Sequence, residues 1–226
     1  MNDAPNKQSN DPKALVRSLR KRADDCRAKG QYRQAEALYL GGLEHARGRF
    51  AEGEPFARRS VEIREKALGP DHVDVAADIA ALAAILDGQK KYEDSELLYQ
   101  RALVIFEKAY GSEHYEIAVN LNNLAAIRNA QGKDEEAEAL YLRALAIKEK
   151  LLGTEHPDTA MTLNNLAVLY KKLKRYDEAA AMYRRALAIF ERTLAADHPK
   201  VATCRENYSK LLLKTTKGRE NTKQTK

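Results

Sequence analysis

In Leu163–Tyr170 the apolar residues Leu163, Leu166, Ala167 and Tyr170 fall at i, i+3, i+4 and i+7, one face of a helix. Ala179, Met182, Tyr183, Ala186 and Ile189 repeat the pattern, and Lys174-Arg175-Tyr176 between the two stretches reads as a short polar turn. His156-Pro157-Asp158 opens the first helix, with proline at a tolerated first-turn position and an acid near the positive end of the helix dipole. Gly153 closes the helix before it, where a positive φ is commonly needed.

The helix pair recurs. Gly111–Leu152 matches Gly153–Leu194 at 20 of 42 positions, Gly69–Tyr110 is a looser third copy, and a fourth begins at Ala195 and stops early. Small residues recur where helices must cross closely: Ala125 and Ala167 on the leading helix, Ala102, Ala144 and Ala186 on the second. One helix pair cannot bury both its faces, so the pattern predicts stacked neighbours.

LNNLA at Leu121–Ala125 and Leu163–Ala167, with ALYLRALAIKEKLLG and AMYRRALAIFERTL, resembles tetratricopeptide repeats. The period of 42 is that of the kinesin-light-chain type rather than the usual 34. The resemblance spans residues 31–214 and implies an all-α helix-turn-helix solenoid, a right-handed superhelix of about ten helices. The expected organisation is a disordered leader (1–11), a solenoid (12–214) with full repeats at 69–110, 111–152 and 153–194 and a capping helix at 199–214, and a disordered basic tail (215–226). Two helices are predicted before the first full repeat pair, over Pro12–Lys29 and Arg33–Ala46, and their register stays open. Pro55 is expected in the first turn of the next helix, or to shorten it. No sustained heptad precedes the repeats, so a stand-alone repeat protein is expected rather than a motor subunit.

Composition adds an uneven charge. Residues 1–33 carry 9 basic and 4 acidic groups, a net +5; residues 200–226 carry 8 and 2, a net +6; the middle carries 22 and 27, a net −5. Solubilising caps account for basic ends. Two alternatives are self-association, a basic end docking on another copy's acidic middle, and RNA binding, which lacks clustered Arg interleaved with aromatics. No stretch of about 18 apolar residues and no signal-peptide core appear, which leads to an expected cytoplasmic location. Cys26 and Cys204 lie near opposite ends, too far apart in a solenoid for a disulfide to be expected.

Catalytic motifs are missing: no G-x-S-x-G, no phosphate loop and no H-E-x-x-H, so no enzyme activity and no cofactor or metal is expected. His72, His114, His156 and His198 recur once per repeat, which spreads them along a ridge and suits a loop role, capping or bridging repeats, better than one metal site. Tyr99, Tyr141 and Tyr183 recur at the same interval and are expected in the core.

The asparagines carry the functional signal. Asn122-Asn123 and Asn164-Asn165 lie mid-helix, where each costs about half a kcal/mol against alanine. With Leu163 at zero and about 100° per residue, Asn164 falls near 100°, Val168 near 140°, Met161 near 160°, Lys172 near 180° and Asn165 near 200°. This second stripe turns away from the partner helix, and the resemblance implies that it lines a concave groove. A carboxamide offers a donor and an acceptor, which suits either the backbone of an extended peptide or a ladder between neighbouring helices. The expected groove contains Asn122, Asn123, Asn164, Asn165, Val168, Lys171, Lys172, Asn207 and Lys210; which Asn of each pair faces it stays open. Ala77, Ala80, Ala81 and Ala84 one repeat earlier, and the lysines Lys171, Lys172, Lys210 and Lys214 at the other end, predict a protein or peptide partner with an apolar anchor and acidic residues.

Overall fold

The structure is a computed structural model and describes Lys21 and residues 50–224, with side chains to Thr215. Among the described residues it is an all-α repeat fold of eight helices: α1 (Phe50–Leu68), α2 (Val73–Gly88), α3 (Tyr92–Tyr110), α4 (Tyr115–Ala130), α5 (Asp134–Leu152), α6 (Pro157–Lys172), α7 (Tyr176–Thr193) and α8 (Pro199–Gln224). The leader, Cys26 and, apart from Lys21, both predicted N-terminal helices lie outside the described residues. The chain divides into two compact units, one ending at Ala109 and the other beginning at Tyr110.

Two sequence expectations change. Pro55 neither starts nor shortens α1, which runs through it. Proline removes its own N–H bond to the preceding turn and crowds the carbonyl four residues back, and the helix continues through it at that cost. The last helix does not stop at Lys214 but continues to Gln224. Low hydrophobicity denies this stretch a core, and its Thr, Asn and Gly offset the helix preference of its Lys, Arg, Glu and Gln. What carries the helix on is propagation from the packed part of α8, each added residue gaining one backbone bond.

Helix starts follow the histidines. The Nδ1 atoms of His72, His114 and His156 accept from the backbone N–H of Asp74, Glu116 and Asp158 at 3.1, 3.3 and 3.1 Å, and His198 accepts from Lys200 at 3.1 Å. Each imidazole thus satisfies one orphan donor of its own helix, the capping role expected. Within each helix pair a three-residue turn reverses the chain. Its middle residue has positive φ: Lys90 (62°), Gly132 (79°) and Lys174 (61°). Only Gly132 takes that conformation without a Cβ cost.

In the first unit α1 packs on α2. Ser60 Oγ donates to Asp78 Oδ2 at 2.6 Å, and Ser95 Oγ on α3 donates to the Ala83 carbonyl at 2.6 Å. Glu54 accepts from Lys91 and Gln89, and the Lys91 ammonium holds its carboxyl down at about 2. In the second unit α4 pairs with α5, α6 with α7, and α8 packs on α7. Ala125, Ala144, Ala167 and Ala186 are fully buried, as close crossings require. Tyr141 and Tyr183 are core, as Tyr99 is in the first unit.

Candidate functional site

The leading helices α4 and α6 of the second unit meet through three polar rungs. Tyr115 OH donates to Asp158 Oδ2 at 2.7 Å, Asn165 Nδ2 to Asn122 Oδ1 at 3.2 Å, and Lys172 Nζ to the Asn129 carbonyl at 2.9 Å. Each pair is 43 residues apart, one more than the repeat, and successive rungs are two helical turns apart. The rungs therefore form a ladder along one edge of each helix, and α6 covers the side of α4 reached by a one-residue rotation.

That offset sorts the predicted groove residues. Asn122 is buried at 6% exposure, because the side of α4 that carries it faces α6. It belongs to the inter-helix ladder and not to an open groove. Asn123, Asn164, Asn165, Lys171 and Asn207 are half-buried, and Val168, Lys172 and Lys210 are exposed. On α6 the sequence Met161, Asn165, Val168, Lys172 forms the more open stripe, at the helix-face spacing expected. The lysines are not a bare cationic cluster. Lys172 pairs with Asp134, Lys210 pairs with Glu206 at 2.6 Å, and the Lys214 ammonium lies 5.4 Å from the centre of the Tyr176 ring. In the first unit α2 exposes Ala77, Ala81 and Ala84.

The central rung has a buried continuation that the sequence reading missed. Thr162 Oγ1 donates to Asn122 Oδ1 at 3.2 Å, and Lys148 Nζ on α5 donates to Thr162 Oγ1 at 3.1 Å and to the Asp158 carbonyl at 3.3 Å. Lys148 is only 3% exposed. Burial pushes its ammonium below the ordinary lysine range, and Asp158 acts against that shift. The signal was available in the repeat alignment: Lys148 stands where the neighbouring copies carry Phe106 and Phe190. A lysine at a phenylalanine position asks for a polar partner.

Beside the ladder, Tyr170 OH donates to Glu138 at 2.9 Å and the Arg175 guanidinium lies 4.2 Å from the centre of the Tyr170 ring. Burial, then the Glu138 carboxylate, pushes the phenol up to about 12. This cluster fastens the α6–α7 turn to α5.

The tetratricopeptide repeat family model matches residues 37–108, 77–150, 116–192 and 159–217. Among solved structures the chain is similar to BtubC (BKLC) from P. vanneervenii, with a TM-score of 0.72 and 24% identity over 90% of this chain and 84% of that one. It is also similar to a putative kinesin light chain from Podosopora anserina with nearly identical TPR-like repeats (TM-score 0.60, 23% identity, 94% of this chain and 91% of that one). The apo form of RapI gives a TM-score of 0.67 at 18% identity, over 94% of this chain and 63% of that one. No curated protein matches the sequence. At these identities the likeness to solved structures speaks to fold, which is kinesin-light-chain-like. Among the described residues no helix is long and apolar enough to cross a membrane. Repeats and fold together support a protein-interaction scaffold. With repeat matches running from residue 37 to 217, the chain belongs to the tetratricopeptide repeat family.

Proposed function

We propose that the leading-helix face of the second unit binds an extended peptide segment of a partner protein, by recognition on a preformed surface and without bond chemistry. The observation that carries this reading is the pair Asn123 and Asn165, half-buried amides that each spend one valence on Asn122 and keep the other for a ligand. A carboxamide with one side anchored is preorganised, so a docking peptide bears less of the ordering cost. Met161 and Val168 supply apolar contact on the same stripe, and Lys171 favours an acidic residue at one end of the peptide, where Lys172 and Lys210 already hold Asp134 and Glu206. Micromolar affinity, about −8 kcal/mol, is the scale for such a segment. Peptides selected from a random library against the full chain, then titrated by fluorescence polarisation, test this. Asn123→Ala with Asn165→Ala is expected to weaken the selected peptides about tenfold or more. Unchanged affinity in that double variant overturns the reading.

A further inference from the structure

The hydrogen-bond chain running from Lys148 to the groove has a sense of direction. An ammonium only donates. Thr162 Oγ1 accepts a hydrogen bond from Lys148 at 3.1 Å, so its own hydroxyl hydrogen is donated onward. The nearer acceptor is Asn122 Oδ1 at 3.2 Å, against the Asp158 carbonyl at 3.5 Å. Asn122 is thereby held with its oxygen toward α6, where that oxygen also receives Asn165 Nδ2 at 3.2 Å. Its amino group is left facing Asn123 Oδ1, at 3.4 Å. The outer valences are then the amino group of Asn123 and the carbonyl oxygen of Asn165.

We propose that Lys148 is a positioning residue for the groove: its donor-only ammonium sets the direction of the Thr162–Asn122 chain, so that Asn123 presents donors to a peptide carbonyl and Asn165 presents an acceptor to a peptide N–H. The use by a peptide rests on the function proposed above; the orientation of the amides does not. One repeat further on the molecule supplies its own comparison. Phe190 replaces Lys148, Cys204 replaces Thr162, and the amide equivalent to Asn122 is Asn164, whose Oδ1 is buried with no hydrogen-bond partner. Where the head of the chain is apolar, the amide oxygen is orphaned.

The test uses the ¹³C,¹⁵N-labelled full chain. In the wild type the side-chain amides of Asn122 and Asn165 are expected as single sharp pairs, with a through-hydrogen-bond coupling from Asn165 Nδ2 to the Asn122 carboxamide carbon. Lys148→Met and Thr162→Val are each expected to broaden or double these resonances and abolish the coupling, while Thr162→Ser, which keeps the hydroxyl, preserves both. Library-selected peptides are expected to lose about tenfold in affinity for Lys148→Met and Thr162→Val and to bind Thr162→Ser as they bind wild type. Should Lys148→Met fail to fold, the Thr162 pair and the wild-type coupling decide the matter. Amide resonances untouched by both disruptive variants, or no coupling in the wild type, would overturn the positioning role and leave the groove intact. A library that yields no binder overturns the groove alone, since the resonances are read without peptide.

Discussion

Between α4 and α6 the positions 115, 122 and 129 meet 158, 165 and 172. One repeat later the same positions are Pro157, Asn164 and Lys171 on α6, against Lys200, Asn207 and Lys214 on α8. The first contact carries a phenol on a carboxylate, an amide on an amide and a lysine on a carbonyl. The second contact sets a proline, which has no hydroxyl, against lysine, keeps the two asparagines but leaves the Asn164 oxygen without a partner, and sets lysine against lysine. Yet α8 is held: Val201, Cys204 and Leu211 are at most 1% exposed. Apolar burial therefore holds both leading helices in the stack, at about 25 cal/mol per Å². What the polar rungs add is a fixed orientation of side chains that packing alone leaves undetermined.

The sharpest way to break that comparison is to delete the same amide in both contacts. Asn122→Ala takes the nearer acceptor from the buried Thr162 hydroxyl, leaving it only the Asp158 carbonyl at 3.5 Å, and removes the partner of the half-buried Asn165 amino group, a loss of about 1.5 kcal/mol. Asn164→Ala removes an oxygen that has no partner and gains helix propensity, so its effect is expected within about 0.5 kcal/mol of zero. Urea unfolding of the two variants beside wild type measures both. Equal losses would mean that the two contacts are energetically alike and that the rungs between α4 and α6 are incidental.

Much of this architecture could be read from residues. The 42-residue period, the alanines at the crossings and the tyrosines in the core follow from apolar spacing, and the histidine caps follow from their recurrence before each leading helix. The ladder could not be read. Periodicity fixes where Asn122 and Asn165 sit on their own helices, and the wheel placed both in one stripe turned from the partner. It does not give the offset of 43 rather than 42 between neighbours, which comes from the way side-chain ridges settle into grooves. That single residue of offset is what buries Asn122 and leaves Asn165 half open. Lys148 escaped for a related reason: within one helix it looks like an ordinary charged residue, and only its position among the phenylalanines of the other copies marks it as interior.

A smaller effect is expected from repairing the second contact. Cys204 is 1% exposed, its thiol donates weakly to the Tyr183 carbonyl at 3.9 Å, and burial followed by Glu191 pushes it up to about 11. It is an inert small core side chain at the place where Thr162 donates to Asn122. Cys204→Thr is of similar volume and brings a hydroxyl to the orphaned Asn164 oxygen. A gain of about 1 kcal/mol in urea unfolding is expected, and the gain should vanish when Asn164→Ala is added, because the acceptor is gone. A gain that survives Asn164→Ala would show that the hydroxyl works through some other partner and that the two contacts do not share a design.

The smallest effect at neutral pH belongs to the outer rung, and alkaline titration isolates it. The Tyr115 phenol donates to Asp158, and that bond, with burial second, pushes it up to about 12 from an ordinary value near 10. The sign follows from which form the fold prefers. Folding favours the protonated phenol, so its contribution is complete below pH of about 10, where both states hold the proton. Between about 10 and 12 the unfolded chain loses that proton first, and the contribution declines until the folded phenol ionises as well. Tyr170 and Tyr183 are also raised to about 12 and produce a decline of the same sign, so the wild-type curve alone is not diagnostic. Tyr115→Phe removes one component: wild-type stability should fall toward that of the variant, with the difference between them shrinking from pH 10 to 12. A difference that stays constant across this range would mean that the phenol does not lean on Asp158, and that the rung between Tyr115 and α6 is packing of its ring rather than a hydrogen bond that Pro157 has lost one repeat later.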